Sequence, residues 1–393
     1  MWDFFKSNGN VLLKVALLVF AVMLYMSAAK GISYIMLAFA IIALFIVLQS
    51  KLTDRTALYL LLFSISYSIM LLMNGDTVRW PVYLLCPCVF YVFGRYVTTK
   101  FNNVALLEFL ILTIFLFALR TYIASVVDVL EGGFFNTYRA MNRSGQGDGD
   151  LTATLFGLNV SLGFVGLVAY FVKTNYGNRL IKFLLLISFA LSLFTVLHLV
   201  NRTGLFVFVL CSAAMLLSIS VKQGGRILVA LLILVGILIV FVPSLRSAFM
   251  DISASYQYRE EMEYAGGGVM TMGNRLWRWT DAIGRVFTSP FGWEGQTQYN
   301  YVHNMWLDAA MFGGFFSFLF MLLATVRGVR YVAILRHLSK NIIVILLIGL
   351  TVASFASAFV EPVLIGSDIY FYLMCMFWGI GYQYRINLKN GIS

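Results

Sequence analysis

The chain has 393 residues, of which 61% are hydrophobic and only 11% are charged, and its net charge is +11. Soluble globular proteins carry about 25% charged residues, so this chain has too little polar surface to fold in water. The composition excludes a soluble enzyme, a DNA-binding domain and a disordered regulator, and it predicts a protein that crosses a membrane several times.

Twelve apolar runs approach the length of a membrane-spanning helix, which needs about 20 mostly apolar residues. They lie at 11–29, 32–49, 56–73, 81–96, 104–119, 151–172, 181–199, 203–221, 226–243, 304–326, 341–360 and 365–383. We therefore predict an all-α fold, a polytopic integral membrane bundle of about 12 transmembrane helices that forms a single domain over residues 1–393. The first run contains Lys14 and is followed at once by the second, which favours a span over a signal peptide.

The basic residues predict the orientation of the bundle. With a cytoplasmic N-terminus, sixteen of the 28 Lys and Arg residues fall in short inner segments, and only three fall in short outer ones. Because Lys and Arg collect in cytoplasmic loops, both termini are predicted to be cytoplasmic. Asp3 and Asp54 are the only carboxylates predicted on the inner side. The net charge of +11 is therefore explained by basic residues that set the orientation in the phospholipid membrane, and no nucleic acid is expected as a partner.

Two long loops, at 120–150 and 244–303, are predicted on the outer side. The first loop ends in a Gly/Asp-rich segment that favours turns over a helix interior. Arg139 and Arg143 are four residues apart, so one helical turn would place both on the same face. A solvated connector is the alternative interpretation of this first loop.

The second loop is predicted to contain an amphipathic helix within GNRLWRWTDAIGRVFTSP, residues 273–290. At 100° per residue, Arg275, Arg278 and Arg285 fall within about 80° of one another, beside an apolar arc, and Pro290 ends the helix. Such a helix suits the membrane–water interface, and an interfacial anchor with extended arginines is the alternative interpretation. Guanidinium groups bind phosphate well, so three arginines on one face favour an anion site.

Two shorter segments add polar groups to the outer side. The sequence NRT occupies residues 201–203 between two spans, and YVHN at 301–304 opens the tenth span. Arginines can neutralise a pyrophosphate, and a histidine can accept the proton of an attacking hydroxyl. This combination predicts group transfer from a lipid diphosphate. No nucleotide-binding or metal-binding motif is present, so no cofactor and no metal are expected, and the four cysteines are interpreted as packing residues.

Three segments in this order carry a resemblance to a known family: NRTGLFVF at 201–208, GNRLWRW at 273–279 and YVHNMWLDAAMFGGFFSF at 301–318. Together they resemble the O-antigen ligase/polymerase superfamily of bacterial envelope glycan transferases. The resemblance implies an undecaprenyl diphosphate-linked oligosaccharide as donor, at the periplasmic face of the bacterial inner membrane. It also implies an inverting, metal-independent glycosyl transfer.

The resemblance also implies roles for individual residues. Arg202 and Arg275 match the family's phosphate-facing arginines, and His303 matches its proposed general base. The further candidates for binding the diphosphate or the glycan are Arg278, from helix geometry, and Arg285, Asn304, Arg139 and Arg143. Asn304 is expected either to orient His303 or to cap the following helix.

Three reactions or activities remain open at this point. A polymerase, which joins lipid-linked repeat units of O-antigen or a capsule-like glycan, is slightly favoured, with a chain-length regulator as a candidate partner. A ligase would instead transfer the finished glycan to lipid A core. A flippase or transporter for lipid-linked sugars is disfavoured, because such proteins place ionisable residues at mid-membrane and this chain has only Lys14 and Glu108 there.

Overall fold

In the computed structural model of the chain, the described residues are 11–27, 32–48, 54–132, 153–166, 179–199, 201–219, 250–251, 253–254, 275–338 and 341–391. These residues form helices and their connections, and no strand occurs among them. The helices are α1 (Val11–Tyr25), α2 (Ile32–Leu48), α3 (Arg55–Met73), α4 (Trp80–Lys100), α5 (Asn103–Gly132), α6 (Ala153–Ser161), α7 (Arg179–His198), α8 (Arg202–Ile219), α9 (Arg275–Thr288), α10 (Met305–Leu338), α11 (Ile342–Val360), α12 (Val363–Gly366) and α13 (Asp368–Lys389).

The helices follow the predicted spans closely. Each predicted run contains a helix, except 226–243, which lies outside the described residues. Six helices (α3, α4, α5, α7, α10 and α11) are long and apolar enough to cross a membrane, and α1, α2 and α8 are shorter apolar helices. The all-helical architecture is therefore confirmed for the described residues, and the six long apolar helices fit a protein embedded in a membrane. The count of twelve spans stays a prediction.

The centre of the bundle is formed by α4, α11 and α13, whose side chains are mostly buried. Helix α13 packs against α4, α10 packs against α3, and α8 packs against α11. Peripheral helices instead expose large apolar side chains, such as Leu18 on α1, Phe45 on α2 and Phe183 on α7. A bundle with an apolar outer surface of this kind is suited to lipid rather than to water.

Helix α5 continues beyond the predicted run at 104–119 to Gly132, so the first residues assigned to the first long outer loop are helical. The placement of this segment outside the membrane stays a prediction. The extra turns remain helical because polar side chains keep one face of α5 against α7. The Tyr122 hydroxyl lies 2.7 Å from the Ser192 hydroxyl, and the Asp128 carboxylate lies 2.8 Å from Nε2 of His198. Hydrogen-bonded polar residues thus extend the buried face beyond the apolar run. Arg139 and Arg143 lie outside the described residues.

Helix α10 also differs from the predicted span at 304–326, because it continues to Leu338 through a predicted inner loop. It is interrupted at Gly314, whose φ of 74° and ψ of −175° are not helical. The loop after α9 packs into this break. The amide of Phe315 donates to the carbonyl of Pro290 at 2.9 Å, and the amide of Trp293 donates to the carbonyl of Met311 at 2.9 Å.

We expect Gly314→Ala to lower the free energy of unfolding by about 3 kcal/mol, because the conformation at Gly314 is one that only glycine adopts readily. A Cβ atom there would also lie 2.3 Å from the carbonyl oxygen of Pro290. Thermal unfolding of the purified protein in detergent measures the effect. The matched control is Gly284→Ala, since a Cβ at Gly284 meets nothing within 4 Å. Equal unfolding temperatures for the two variants would contradict this account of the break.

Candidate active site

Four distant parts of the chain meet at the carboxylate of Glu361, the residue that follows α11. Its Oε1 accepts hydrogen bonds from the hydroxyl of Thr203 at 2.5 Å and from Nη2 of Arg275 at 3.3 Å. Its Oε2 lies 3.6 Å from Nδ1 of His303, slightly beyond hydrogen-bond length. We call Glu361, Thr203, Arg275 and His303 the Glu361 cluster. The cluster brings the three segments that carry the family resemblance to one point.

The members of the Glu361 cluster differ in their accessibility. The side chain of Glu361 is only 3% exposed, whereas those of Arg275 and His303 are 21% and 18% exposed. A buried carboxylate is tolerated when it is paired and hydrogen-bonded, as Glu361 is. A ligand can therefore reach the guanidinium and the imidazole, while the carboxylate behind them serves to hold both.

The charges of the Glu361 cluster favour an ionised Glu361. Burial by itself would raise the pKa of Glu361, but the His303 ring, the Arg275 charge and the Thr203 hydrogen bond together lower it below its ordinary value of 4.5. The carboxylate is therefore charged at neutral pH. Because the folded-state pKa is lowered, Glu361 stabilises the fold above about pH 4.5, and this stabilisation is lost as the pH falls through the folded-state pKa.

The same surroundings favour a neutral His303. Burial lowers the pKa of His303 below its ordinary value of 6.5, and the charges of Arg275 and Arg278 lower it further, against the opposing effect of Glu361. A neutral imidazole at neutral pH can accept a proton, which a charged one cannot. The protonation state of His303 is thus suited to a general base.

The backbone at His303 is strained. Its φ of 62° is the only positive value at a non-glycine residue in the part of the chain that the structure describes. A conformation of this kind costs about 1–3 kcal/mol and persists only where the surroundings impose it. The amide of Val302 donates to Oδ1 of Asp308 at 2.7 Å, and its carbonyl accepts from Nε1 of Trp279 at 3.1 Å. These two bonds fix the strained segment and direct His303 toward Glu361.

Arg278 and Asn304 also help to hold the backbone around His303. Nη1 of Arg278 donates to the carbonyl of Tyr301 at 3.3 Å, just before the strained residue. Asn304 caps α10 by accepting from the amide of Leu307 at 3.2 Å, and its Nδ2 donates to the carbonyl of Phe359 on α11 at 3.2 Å. Both side chains therefore contact the backbone that positions His303, and neither contacts the Glu361 carboxylate.

Arg285 lies apart from the Glu361 cluster. Its Nε donates to Oδ2 of Asp281 at 2.8 Å, and the same carboxylate oxygen accepts from the Tyr299 hydroxyl at 2.6 Å. Arg285 is ten residues after Arg275, which corresponds to about 15 Å along a helix axis. The two arginines share a helix face, as predicted, but they are too far apart to contact one small anion.

Arg202 lies beside the Glu361 cluster. It is the first residue of α8, so it directly precedes Thr203, whose hydroxyl contacts Glu361. The preceding residue, Asn201, caps this helix start by accepting from the amide of Gly204 at 2.7 Å. In the NRT segment, Asn201 therefore caps the helix, Arg202 lies next to the cluster, and Thr203 donates a hydrogen bond to Glu361.

The residue that organises the site, Glu361, is absent from the residues predicted on the sequence. Thr203 is noted only as part of the NRT segment, and neither it nor Asp308 is predicted to have a role in the site. One signal for Glu361 exists. It is the only acidic residue between Asp308 and Asp368, and it directly follows an apolar run on the predicted outer side. Placing an isolated carboxylate at the end of a span costs free energy unless the carboxylate has a partner. This cost marks Glu361 as a candidate site residue.

The site presents a guanidinium and a neutral imidazole side by side, held by one buried carboxylate. A guanidinium in a partly dry site binds phosphate oxygens strongly, and a neutral imidazole can remove a proton from a hydroxyl. No protein-family model and no curated protein sequence matches the chain. The assignment of an activity therefore depends on the contacts within the Glu361 cluster.

Proposed function

We propose that the chain is a metal-independent, inverting glycosyltransferase of the bacterial inner membrane. It acts at the periplasmic face on an undecaprenyl diphosphate-linked oligosaccharide. The observation that carries this proposal is that Arg275 and His303 approach opposite oxygens of one buried carboxylate, Glu361. Phosphate recognition and proton transfer are thereby available within a single site at the end of the bundle.

The donor diphosphate binds to Arg275, with Arg202 beside it. Negative charge grows on the diphosphate as the glycosidic bond breaks, so fixed guanidinium groups stabilise the transition state more than the ground state. In this mechanism the arginines supply the charge that a divalent cation supplies in other transferases. The reaction is therefore expected to proceed in the presence of a chelator.

His303 acts on the acceptor. Because Nδ1 faces the Glu361 carboxylate, the neutral ring carries its proton on Nδ1 and leaves Nε2 free of a proton, as in other histidines oriented by a carboxylate. The acceptor hydroxyl loses its proton to Nε2 while its oxygen forms a bond to the anomeric carbon. The bond from that carbon to the phosphate oxygen breaks, and undecaprenyl diphosphate leaves with the electron pair. A single displacement of this kind inverts the anomeric configuration.

The preferred acceptor is a second lipid-linked repeat unit, which makes the reaction a polymerisation. This choice over transfer to lipid A core rests on the resemblance, since polymerases are the more varied members of the resembled superfamily and commonly have a low-charge composition of this kind. Purified protein in vesicles with the lipid-linked repeat unit should form longer lipid-linked chains and release undecaprenyl diphosphate, without added metal. Transfer that requires lipid A core would instead identify a ligase, and failure to consume the donor with either acceptor would refute the proposal.

We expect His303→Ala to reduce transfer by about 10²- to 10⁴-fold, the usual contribution of a general base. The matched control is His337→Ala, which makes the same change at an exposed histidine near the far end of α10. Release of undecaprenyl diphosphate by each variant at neutral pH measures the effect. Turnover in His303→Ala equal to that of the control would remove His303 from the mechanism.

A further inference from the structure

A second group of charged side chains lies at the end of the bundle opposite the Glu361 cluster. Helix α3 defines the two ends: Asn74, just after it, donates to Glu294 in the loop that leads to His303, at 2.9 Å. Thr56, at the start of α3, lies instead beside Tyr331 in the second half of α10, with their hydroxyl oxygens 2.9 Å apart. The charge distribution of the sequence predicts this second end to be cytoplasmic.

Three arginines surround two tyrosines whose rings are in contact at this end. The rings of Tyr331 and Tyr382 are 4.6 Å apart. The guanidinium carbon of Arg95 lies 4.6 Å from the centre of the Tyr382 ring, and those of Arg327 and Arg385 each lie 5.6 Å from the centre of the Tyr331 ring. We call these five residues the arginine–tyrosine stack. Helices α4, α10 and α13 each contribute to it.

The arginine–tyrosine stack has more positive charge than the nearby carboxylates neutralise. Asp54 accepts from Nη1 of Arg95 at 2.7 Å and from the Tyr91 hydroxyl at 2.8 Å. Neither Arg327 nor Arg385 has an acidic partner among the described residues, and Nε of Arg385 is buried there without a hydrogen-bond partner. Apart from Asp3, the sequence places no other carboxylate on the predicted inner side.

Arg327 donates to the Tyr331 hydroxyl from Nη2 at 2.8 Å, and Arg385 lies near the ring of the same tyrosine. Two half-buried positive charges beside one side chain repel each other, and an anion that contacts both would lower this repulsion. The adjacent surface of α10 suits a lipid. Leu322, Val326 and Arg330 follow at four-residue spacing on one face, and all three are exposed. Acyl chains can pack on the two apolar residues while the headgroup lies at the level of the arginines. Basic pockets between helices on the cytoplasmic side bind anionic lipid headgroups in this way.

We propose that the arginine–tyrosine stack binds the phosphate of an anionic phospholipid of the cytoplasmic leaflet. Arg327 and Arg385 contact the phosphate from two helices, Tyr331 fixes the distance between them, and one acyl chain lies along Leu322 and Val326. The bound lipid joins α10 to α13 at the end of the bundle opposite the Glu361 cluster. This site is independent of the proposed transferase activity.

The test is lipid retention by the full-length protein, equilibrated in bilayers with equal amounts of phosphatidylglycerol and phosphatidylcholine and analysed by native mass spectrometry. The wild type should retain phosphatidylglycerol preferentially. Each of Arg327→Gln and Arg385→Gln should lower the ratio of the two retained lipids about fivefold, the contribution of one arginine near an anionic headgroup. Arg336→Gln is the matched control, because Arg336 is an exposed arginine on the same helix that donates to the carbonyl of Leu217.

A ratio unchanged in both stack variants, or lowered equally in Arg336→Gln, would overturn the proposal. An excess of inorganic phosphate should leave phosphatidylglycerol bound, and displacement by phosphate would show that the site binds free phosphate instead of lipid. The wild type also provides a test that does not depend on whether a variant folds. Absence of any preference for phosphatidylglycerol over phosphatidylcholine in the wild type would by itself refute a lipid site.

Discussion

Replacing Glu361 with glutamine should lower the rate of glycan transfer by about 10²- to 10⁴-fold, as expected when a carboxylate that orients a catalytic histidine becomes an amide. The amide lacks the charge that attracts Arg275, and it can donate a hydrogen bond to Nδ1 of His303 and thus stabilise the wrong tautomer. Glutamine has nearly the same volume as glutamate, so the packing around α11 is retained. The loss should therefore appear in turnover of a folded, membrane-inserted protein.

The pH dependence of kcat/KM distinguishes two roles of Glu361, the positioning of His303 and the support of the fold alone. Glu361 raises the pKa of His303 against the effect of burial and of the neighbouring arginines. Without the Glu361 charge the pKa of His303 falls further, so the acid limb of the profile of kcat/KM should move to lower pH. A structural role alone would lower the amount of active protein and leave the limb in place.

Glu294→Gln is the matched control for this prediction. It makes the same substitution at an exposed glutamate of the loop before His303, where the side-chain oxygen only accepts a hydrogen bond from Asn74. Its turnover should stay within about twofold of the wild type, as for most exposed substitutions. Glu361→Gln with wild-type turnover and an unshifted acid limb would disprove the positioning role.

The parts of the fold that depend on local sequence could be predicted. Apolar length and spacing predicted the helices, and the arginine and apolar pattern of residues 273–290 predicted an amphipathic helix that is present as Arg275–Thr288. Its end before Pro290 follows from the missing backbone N–H of proline. Each of these features is determined by neighbours within a few turns.

Where interhelical hydrogen bonds decide the structure, the sequence was misleading. The continuation of α5 to Gly132 depends on Asp128 and its contact with His198, 70 residues further along the chain. Hydropathy assigns a polar residue to a loop, since it does not indicate whether that residue has a partner on another helix. The end of α5 therefore lies thirteen residues beyond the predicted run at 104–119.

The candidate site was predicted only in part for the same reason. Arg275 and Thr203 are 86 and 158 residues from Glu361 along the chain, and no local pattern connects them. The helical wheel that grouped Arg275 with Arg285 gives an angle about the axis but no distance along it. The sequence predicted an anion site formed by three arginines on one helix face. In the structure, Arg275 is the one of the three that contacts the buried carboxylate of Glu361.

Arg275→Gln is therefore expected to reduce transfer by about 10²- to 10³-fold, as for the loss of one fixed donor to a developing oxyanion. Both kcat and the affinity for the donor should fall, because in the proposed mechanism the guanidinium contacts the diphosphate before and during bond breakage. The transfer rate of Arg275→Lys should lie between those of the wild type and Arg275→Gln, since lysine keeps the charge and loses the paired hydrogen-bond geometry. Release of undecaprenyl diphosphate at varied donor concentration measures both effects.

Arg285→Gln gives the sharpest comparison, because it makes the same change on the same helix about 15 Å away along the axis. Arg285 pairs with Asp281 and not with Glu361. Its replacement by glutamine should therefore reduce transfer by less than about threefold. Arg275 and Glu361 are in contact, so their combined variant should lose less than the product of the two single losses. Equal losses for Arg275→Gln and Arg285→Gln would favour a general electrostatic surface on α9. Independent losses at Arg275 and Glu361 would show that the two residues do not act through one another.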